Sequence, residues 1–145
     1  MVRPPGAVDE ATFLQRCTKC EDCMALCPHG AIGMLDRGPA KGTPAMNVNQ
    51  APCHLCEDLP CVAACETGAL LPMGLDTVFF GLARIVESKC FVFMGPECGA
   101  CVPVCPVKAM KTVAGKPVVD EEVCNGCGLC KAACPVFGSA IVIDV

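Results

Sequence analysis

Sixteen cysteines, set in four groups of four with none left over, constrain this chain more than any other feature. The quartets are Cys17, Cys20, Cys23, Cys27; Cys53, Cys56, Cys61, Cys65; Cys90, Cys98, Cys101, Cys105; and Cys124, Cys127, Cys130, Cys134. Stretches of 25, 24 and 18 residues separate them, each about the length of a β-hairpin with short flanks. In 145 residues this cysteine content exceeds the ~8–10% beyond which a short chain leans on a cross-linking framework or a metal. The ordinary apolar core is thin, because the 53% hydrophobic fraction counts the cysteines and there are six Phe and no Trp or Tyr. The 14 Gly and 13 Pro break the chain often, which suits a backbone wrapped round inorganic groups better than one built on long helices.

The first and last quartets, CTKCEDCMALCP from Cys17 and CNGCGLCKAACP from Cys124, each read C-x2-C-x2-C-x3-C-P. In that run three closely spaced thiolates hold one iron–sulfur cluster, the fourth reaches a neighbouring cluster, and proline turns the chain away. The second quartet has two extra residues before Cys61 and the third has five before Cys98, and both keep the terminal C-x3-C. Extra residues lengthen a loop over one cluster edge without changing the number of thiolates, so all sixteen cysteines are read as ligands of four [4Fe–4S] clusters. Structural zinc favours paired C-x2-C half-sites far apart in sequence, and disulfides need an oxidising compartment.

Nothing else points to bond-making chemistry. There is no Gly-rich phosphate loop, nucleotide fingerprint or nucleophile elbow. Glu21-Asp22, Glu57-Asp58 and Glu121-Glu122 beside the cysteines read as solvated turns. His29 and His54 read as surface or supporting groups, with His54 the better placed to hydrogen-bond a cluster sulfur, since no quartet lacks a cysteine for a histidine to replace. The expected role is electron transfer without catalysis.

The formal charge is −4, with acids and bases scattered singly, so there is no basic footprint for nucleic acid. Four oxidised clusters, each carrying about −2 with its thiolates, would bring the loaded protein to about −12 and favour partners with basic or apolar surfaces. The longest apolar stretch, Val78 to Val86, contains Arg84 and is far short of the roughly 18–20 residues that cross a bilayer. The opening MVRPPGAVDEATFLQRC carries neither a charged-then-apolar run nor a twin-arginine signal, so a cytoplasmic protein is expected.

Local signals place a short amphipathic helix over Glu10 to Arg16 with Asp9 as N-cap, and single helical turns between the third and fourth cysteines of each quartet. Strands are expected at Ala31 to Leu35 and Ala45 to Val48, and at Met110 to Val113 and Pro117 to Val119 around Gly115. In LDTVFFGLARIVES, Leu75, Val78, Phe79, Leu82, Ile85 and Val86 begin at helical spacing and end strand-like. The segment reads as a core piece joining two halves, with an exposed docking face as the alternative.

These quartets, with CHLCEDLPC at Cys53, C-x7-C-x2-C-x3-CP at Cys90 and CNGCGLCKAACP at the end, resemble the NapF/NapG/MauM ferredoxin-type proteins. The opening RPPG…FLQRCTKCEDC is most similar to NapF, and CHLCEDLPC to NapG and the HycB-like electron-transfer subunits. Glu66 departs from the pattern, standing where a proline usually follows the fourth cysteine. The resemblance implies a single compact α+β domain over residues 1–145, made of two pseudo-symmetric, tandem ferredoxin-like bis-[4Fe–4S] units with small antiparallel sheets and short helices. It implies a hetero-oligomeric electron-transfer subunit between a catalytic redox subunit and a further donor or acceptor. The catalytic partner would be a molybdenum or tungsten enzyme such as an aldehyde, formate or nitrate oxidoreductase. An accessory role in maturing such an enzyme is the alternative. The nested arrangement of HycB-like subunits would give ligand sets Cys17, Cys20, Cys23 with Cys134; Cys124, Cys127, Cys130 with Cys27; Cys53, Cys56, Cys61 with Cys105; and Cys90, Cys98, Cys101 with Cys65. Sequential pairing, first quartet with second and third with fourth, is the alternative, and the short third-to-fourth gap favours it.

Overall fold

A computed structural model describes residues 1–145. The chain divides into two compact units, Met1–Asn47 with Leu55–Val78, and Val48–His54 with Phe79–Val145. Both are built from short helices and two-stranded antiparallel sheets, an α+β architecture. No helix is long and apolar enough to cross a membrane.

The first unit opens with α1, Glu10–Arg16, in which the Asp9 side chain accepts the Thr12 N–H at 3.1 Å. That bond satisfies one of the free donors of the first turn, as the Asp9 cap requires. A single turn, α2 (Asp22–Ala25), carries Cys23. The hairpin of β1 (Ile32–Met34) and β2 (Pro44–Met46) follows, with Ile32 opposite Met46. The second strand begins one residue before the sequence expectation and ends two residues earlier. Another turn, α3 (Pro60–Ala63), carries Cys61 and starts on a proline, at a position where no helical N–H is lost.

Phe13, fully buried on α1, anchors this unit's core with Met46, Val62, Ala69 and Leu70. The Arg3 guanidinium lies 4.4 Å above the Phe13 ring and donates to Thr43 Oγ1 at 2.8 Å, Pro44 O at 2.6 Å and Glu10 Oε2 at 2.9 Å. Isolated bridges Val2–Met46 and Ala7–Leu70 bind the amino-terminal stretch to the rest of the unit. Residues 75–77 form one 3-10 turn.

In the second unit β3 (Leu82–Ile85) leads to α4 (Phe91–Met94), the hairpin β4 (Met110–Val113) and β5 (Lys116–Val119), the turn α5 (Leu129–Ala132) carrying Cys130, and β6 (Ile141–Asp144). The last strand returns to pair with β3, Leu82 opposite Asp144 and Ile85 opposite Ile141. Ala83, Met110, Ile141 and Ile143 are buried between the sheets and the cysteine-bearing turns. The Asn49 carboxamide extends the ladder by accepting the Ile143 N–H at 3.0 Å and donating to the Ile143 carbonyl at 2.8 Å. Gly81, at φ +144°, is pressed against the Asp144 carbonyl, where a Cβ would collide with that oxygen.

Two expectations are corrected. The third quartet has no helix between Cys101 and Cys105, only turns, because Pro103 removes an N–H and blocks helix propagation there; the helical turn, α4, lies instead in the insertion after Cys90. The 75–86 segment is neither wholly core nor wholly exposed. Val78, Phe80 and Ala83 are buried while Phe79 is 65% exposed.

Candidate metal centres

The helical turns and hairpins bring thiols together in sets that draw on neighbouring quartets. In the first unit Cys17, Cys20, Cys23 and Cys65 line one cavity. In the second unit Cys105, Cys124, Cys127 and Cys130 line a second, and Cys90, Cys98, Cys101 and Cys134 a third. Each cavity therefore combines three thiols of one quartet with the fourth thiol of another. Their identical thiol content fits three copies of the same group. No three ligating side chains converge on a point as the ligands of a single ion do.

The electrostatics of the thiols follow the same grouping. Burial pushes the Cys23 thiol up to about 11, with Cys17, Cys20 and Cys61 adding to it. Cys130 is pushed up to about 12 by burial and then by Cys127, Cys124 and Cys105. Burial raises Cys101, helped by Cys90, Cys98 and Cys134, and raises Cys56, helped by Cys27. Buried thiols beside other thiols, as at Cys23, Cys101 and Cys130, resist ionisation, and a multivalent cationic core is what reverses that balance.

Backbone donors are aimed at several sulfurs. Ala31, Leu70 and Ala140 donate their N–H groups to the Sγ atoms of Cys27, Cys65 and Cys134 at 3.4, 3.3 and 3.4 Å, and Ala83 donates to Cys124 at 3.4 Å. Thr67 Oγ1 lies 3.6 Å from Cys65 Sγ. Although burial alone would raise Cys65 and Cys134, these donors, with Thr67 at Cys65 and Ser139 at Cys134, hold both thiols below the ordinary value. Hydrogen bonds of this kind stabilise negative charge on sulfur.

The cavities do not group the cysteines in the nested order. Cys65, not Cys134, lines the cavity of Cys17, Cys20 and Cys23; Cys134, not Cys65, lines that of Cys90, Cys98 and Cys101; and Cys105, not Cys27, lines that of Cys124, Cys127 and Cys130. Cys27 is instead a close electrostatic neighbour of Cys56, where nesting would bring Cys105. Both β1–β2 and β4–β5 turn the chain back between consecutive quartets, the first and second and the third and fourth.

His29 and His54 are both exposed. Thr67 and Asn125 carried no signal, because Thr and Asn are ordinary turn residues and their approach to the cavities depends on tertiary packing. Asn125 is 5% exposed and lines the cavity of Cys105, Cys124, Cys127 and Cys130. The second unit also has an open, largely apolar groove of about 800 Å³ without thiols, bordered by Phe79, Phe93 and Val118.

Residues 16–69 and 96–137 match the 4Fe–4S dicluster domain, which accounts for most of the chain and includes all the cysteines except Cys90. The chain belongs to the 4Fe–4S dicluster ferredoxins. This ferredoxin is 35% identical to the methylamine utilization ferredoxin-type protein MauM of Methylobacillus flagellatus, over 97% of its own length and 67% of that protein. It is 33% identical to the ferredoxin-type protein NapG of Escherichia coli, over 98% of its length and 69% of that protein. With the Escherichia coli ferredoxin-type protein NapF it shares 33% identity over 99% of its length and 84% of that protein. The resemblance expected from the quartets therefore holds, and the ferredoxin is a [4Fe–4S] electron-transfer protein of the NapG/MauM kind.

Proposed function

We propose that this ferredoxin carries four [4Fe–4S] clusters and relays electrons between a catalytic oxidoreductase subunit and a second redox partner. The observation that carries the reading is that each of three cavities is lined by three thiols of one quartet and the fourth of another, with one exposed thiol, Cys20, in the first unit and one, Cys98, in the second. Bound clusters would supply reversible one-electron chemistry. The exposed thiols are the natural places for electrons to enter and leave, since electron transfer to a partner needs a cluster close to the surface.

The ligand sets proposed are Cys17, Cys20, Cys23 with Cys65; Cys90, Cys98, Cys101 with Cys134; and Cys124, Cys127, Cys130 with Cys105. Elimination leaves Cys53, Cys56, Cys61 and Cys27 for the fourth. Cavity lining supports the first three sets, thiol electrostatics support those completed by Cys134 and Cys105, and the Cys27–Cys56 proximity supports the last. A double substitution separates this from nesting. Cys23→Ser with Cys65→Ser should remove one cluster, leaving about twelve of sixteen irons, whereas nesting requires two clusters to be lost and about eight irons to remain.

The catalytic partner proposed is a molybdenum or tungsten enzyme of the aldehyde, formate or nitrate oxidoreductase class. Anaerobic co-purification should yield a stable complex, and adding the ferredoxin to the isolated enzyme should speed electron delivery to its second partner. If deleting the ferredoxin instead lowered cofactor occupancy in that enzyme, with turnover per loaded enzyme unchanged, the maturation reading would replace the relay.

A further inference from the structure

We infer that Asn125 donates a hydrogen bond from Nδ2 to a sulfur of the cluster held by Cys105, Cys124, Cys127 and Cys130, and so raises the potential of that one cluster above the value its thiolates alone would set. The inference rests on the four-cluster reading proposed above. It adds a tuning residue that the cysteine pattern does not reveal.

Asn125 is 95% buried, and neither Nδ2 nor Oδ1 has a hydrogen-bond partner within the protein. Leaving a carboxamide buried and unpaired is costly, and such groups call for a partner that the polypeptide does not supply. The side chain lines a cavity whose other walls include Val107, Ala109 and Ile143, which offer no side-chain acceptor, and Met110, whose thioether is only a weak one. Sulfur is the acceptor that the four thiols, and a bound cluster, would bring to that space.

The backbone holds Asn125 in this place. Its carbonyl accepts the Phe80 N–H at 2.8 Å, and it sits between two cysteines of the same cavity. Gly126, at φ +71°, follows it so tightly against the Gly81 backbone that a Cβ would collide there. The carboxamide is therefore part of a constrained turn with little freedom to swing into solvent. A donor aimed at cluster sulfur favours the reduced, more negative state, which is the direction of a raised potential. Oδ1 gains nothing from the cluster, so Nδ2 is the atom that satisfies the site.

The test is an anaerobic redox titration, followed by electron paramagnetic resonance, of wild-type protein and of Asn125→Leu, which keeps the branched shape and removes the donor. Iron content is measured first on both. The expected result is that one cluster becomes about tenfold harder to reduce, a fall of ~59 mV for one electron, while the other potentials stay put. Reduced wild-type protein carrying 15Nδ2-labelled asparagine should show a nitrogen hyperfine coupling that the variant lacks. Full iron with no potential moved, or an equal fall at every cluster, overturns the inference. If Asn125→Leu fails to load, Asn125→Ala, which removes the donor without adding charge, decides: a lowered single potential supports the inference and a wild-type value overturns it. Wild-type protein without reversible clusters would sink the relay reading itself, an outcome visible before any variant is made.

Discussion

At the scale of single residues, Arg3 ties the first unit together more than any apolar contact near the amino terminus. It is 16% exposed, covers the Phe13 ring and satisfies Thr43 and Pro44 at once. Arg3→Met removes the cation and its donors while keeping much of the apolar stem, and should cost about 2 kcal/mol. Urea-induced loss of visible cluster absorbance, compared anaerobically with wild type, would reveal the change; an unaltered midpoint would contradict it. Hydrogen bonding to Arg3 also holds Glu10 below its ordinary 4.5. A carboxylate lowered in the folded state stabilises it fully above that value and stops doing so as pH falls through the lowered one. The difference in urea midpoint between wild type and Glu10→Gln should therefore be present near neutrality and shrink below pH 4.5.

At the scale of elements, the second unit contains one locally determined pair and one distant pair. The β4–β5 hairpin turns at Ala114 and Gly115, with φ of +49° and +78°, both in the left-handed region. That is the signature of a type I′ turn, which Asn-Gly makes with less strain than Ala-Gly. Ala114 is exposed, so Ala114→Asn should gain roughly 0.5–1 kcal/mol without disturbing packing, as read from the same urea transition. The β3–β6 pair depends instead on Gly81, where the Asp144 carbonyl leaves no room for a side chain. Gly81→Ala should push the last strand away and cost the second unit its clusters, lowering bound iron by roughly the eight atoms of two clusters. Gly33→Ala in β1, at negative φ with the nearest foreign atom 4.0 Å away, is the matched control and should load normally.

At the scale of the whole molecule, stability depends on what fills the cavities. Six of the core positions are cysteines, Cys23, Cys53, Cys61, Cys101, Cys127 and Cys130. A core made so largely of thiols buries little apolar surface without the groups those thiols hold, so the emptied chain should not keep this fold. Oxidative removal of iron with a chelator should abolish most secondary-structure ellipticity and expose the chain to protease; an iron-free protein with unchanged ellipticity would refute this. Binding and folding would then be one process, with cluster assembly supplying the free energy that the sparse aromatic core does not.

Quartets, helix caps and hairpin turns were legible in the residues because each is specified within a few positions: Asp9 before α1, Gly115 between β4 and β5, three thiols within seven residues at Cys17 and Cys124. Family and cofactor followed from the same spacing. Which fourth thiol joins which triad was not legible. Loop-closure entropy changes by only about 0.6 kcal/mol for each doubling of loop length, so sequence separation hardly distinguishes nested from sequential partners. Tertiary packing brings Cys65, Cys134 and Cys105 into their cavities, returns β6 to β3 and buries an ordinary turn asparagine beside four cysteines with its carboxamide unpaired. Tertiary contacts, not local pattern, set those three outcomes because each depends on residues tens of positions apart competing for the same space.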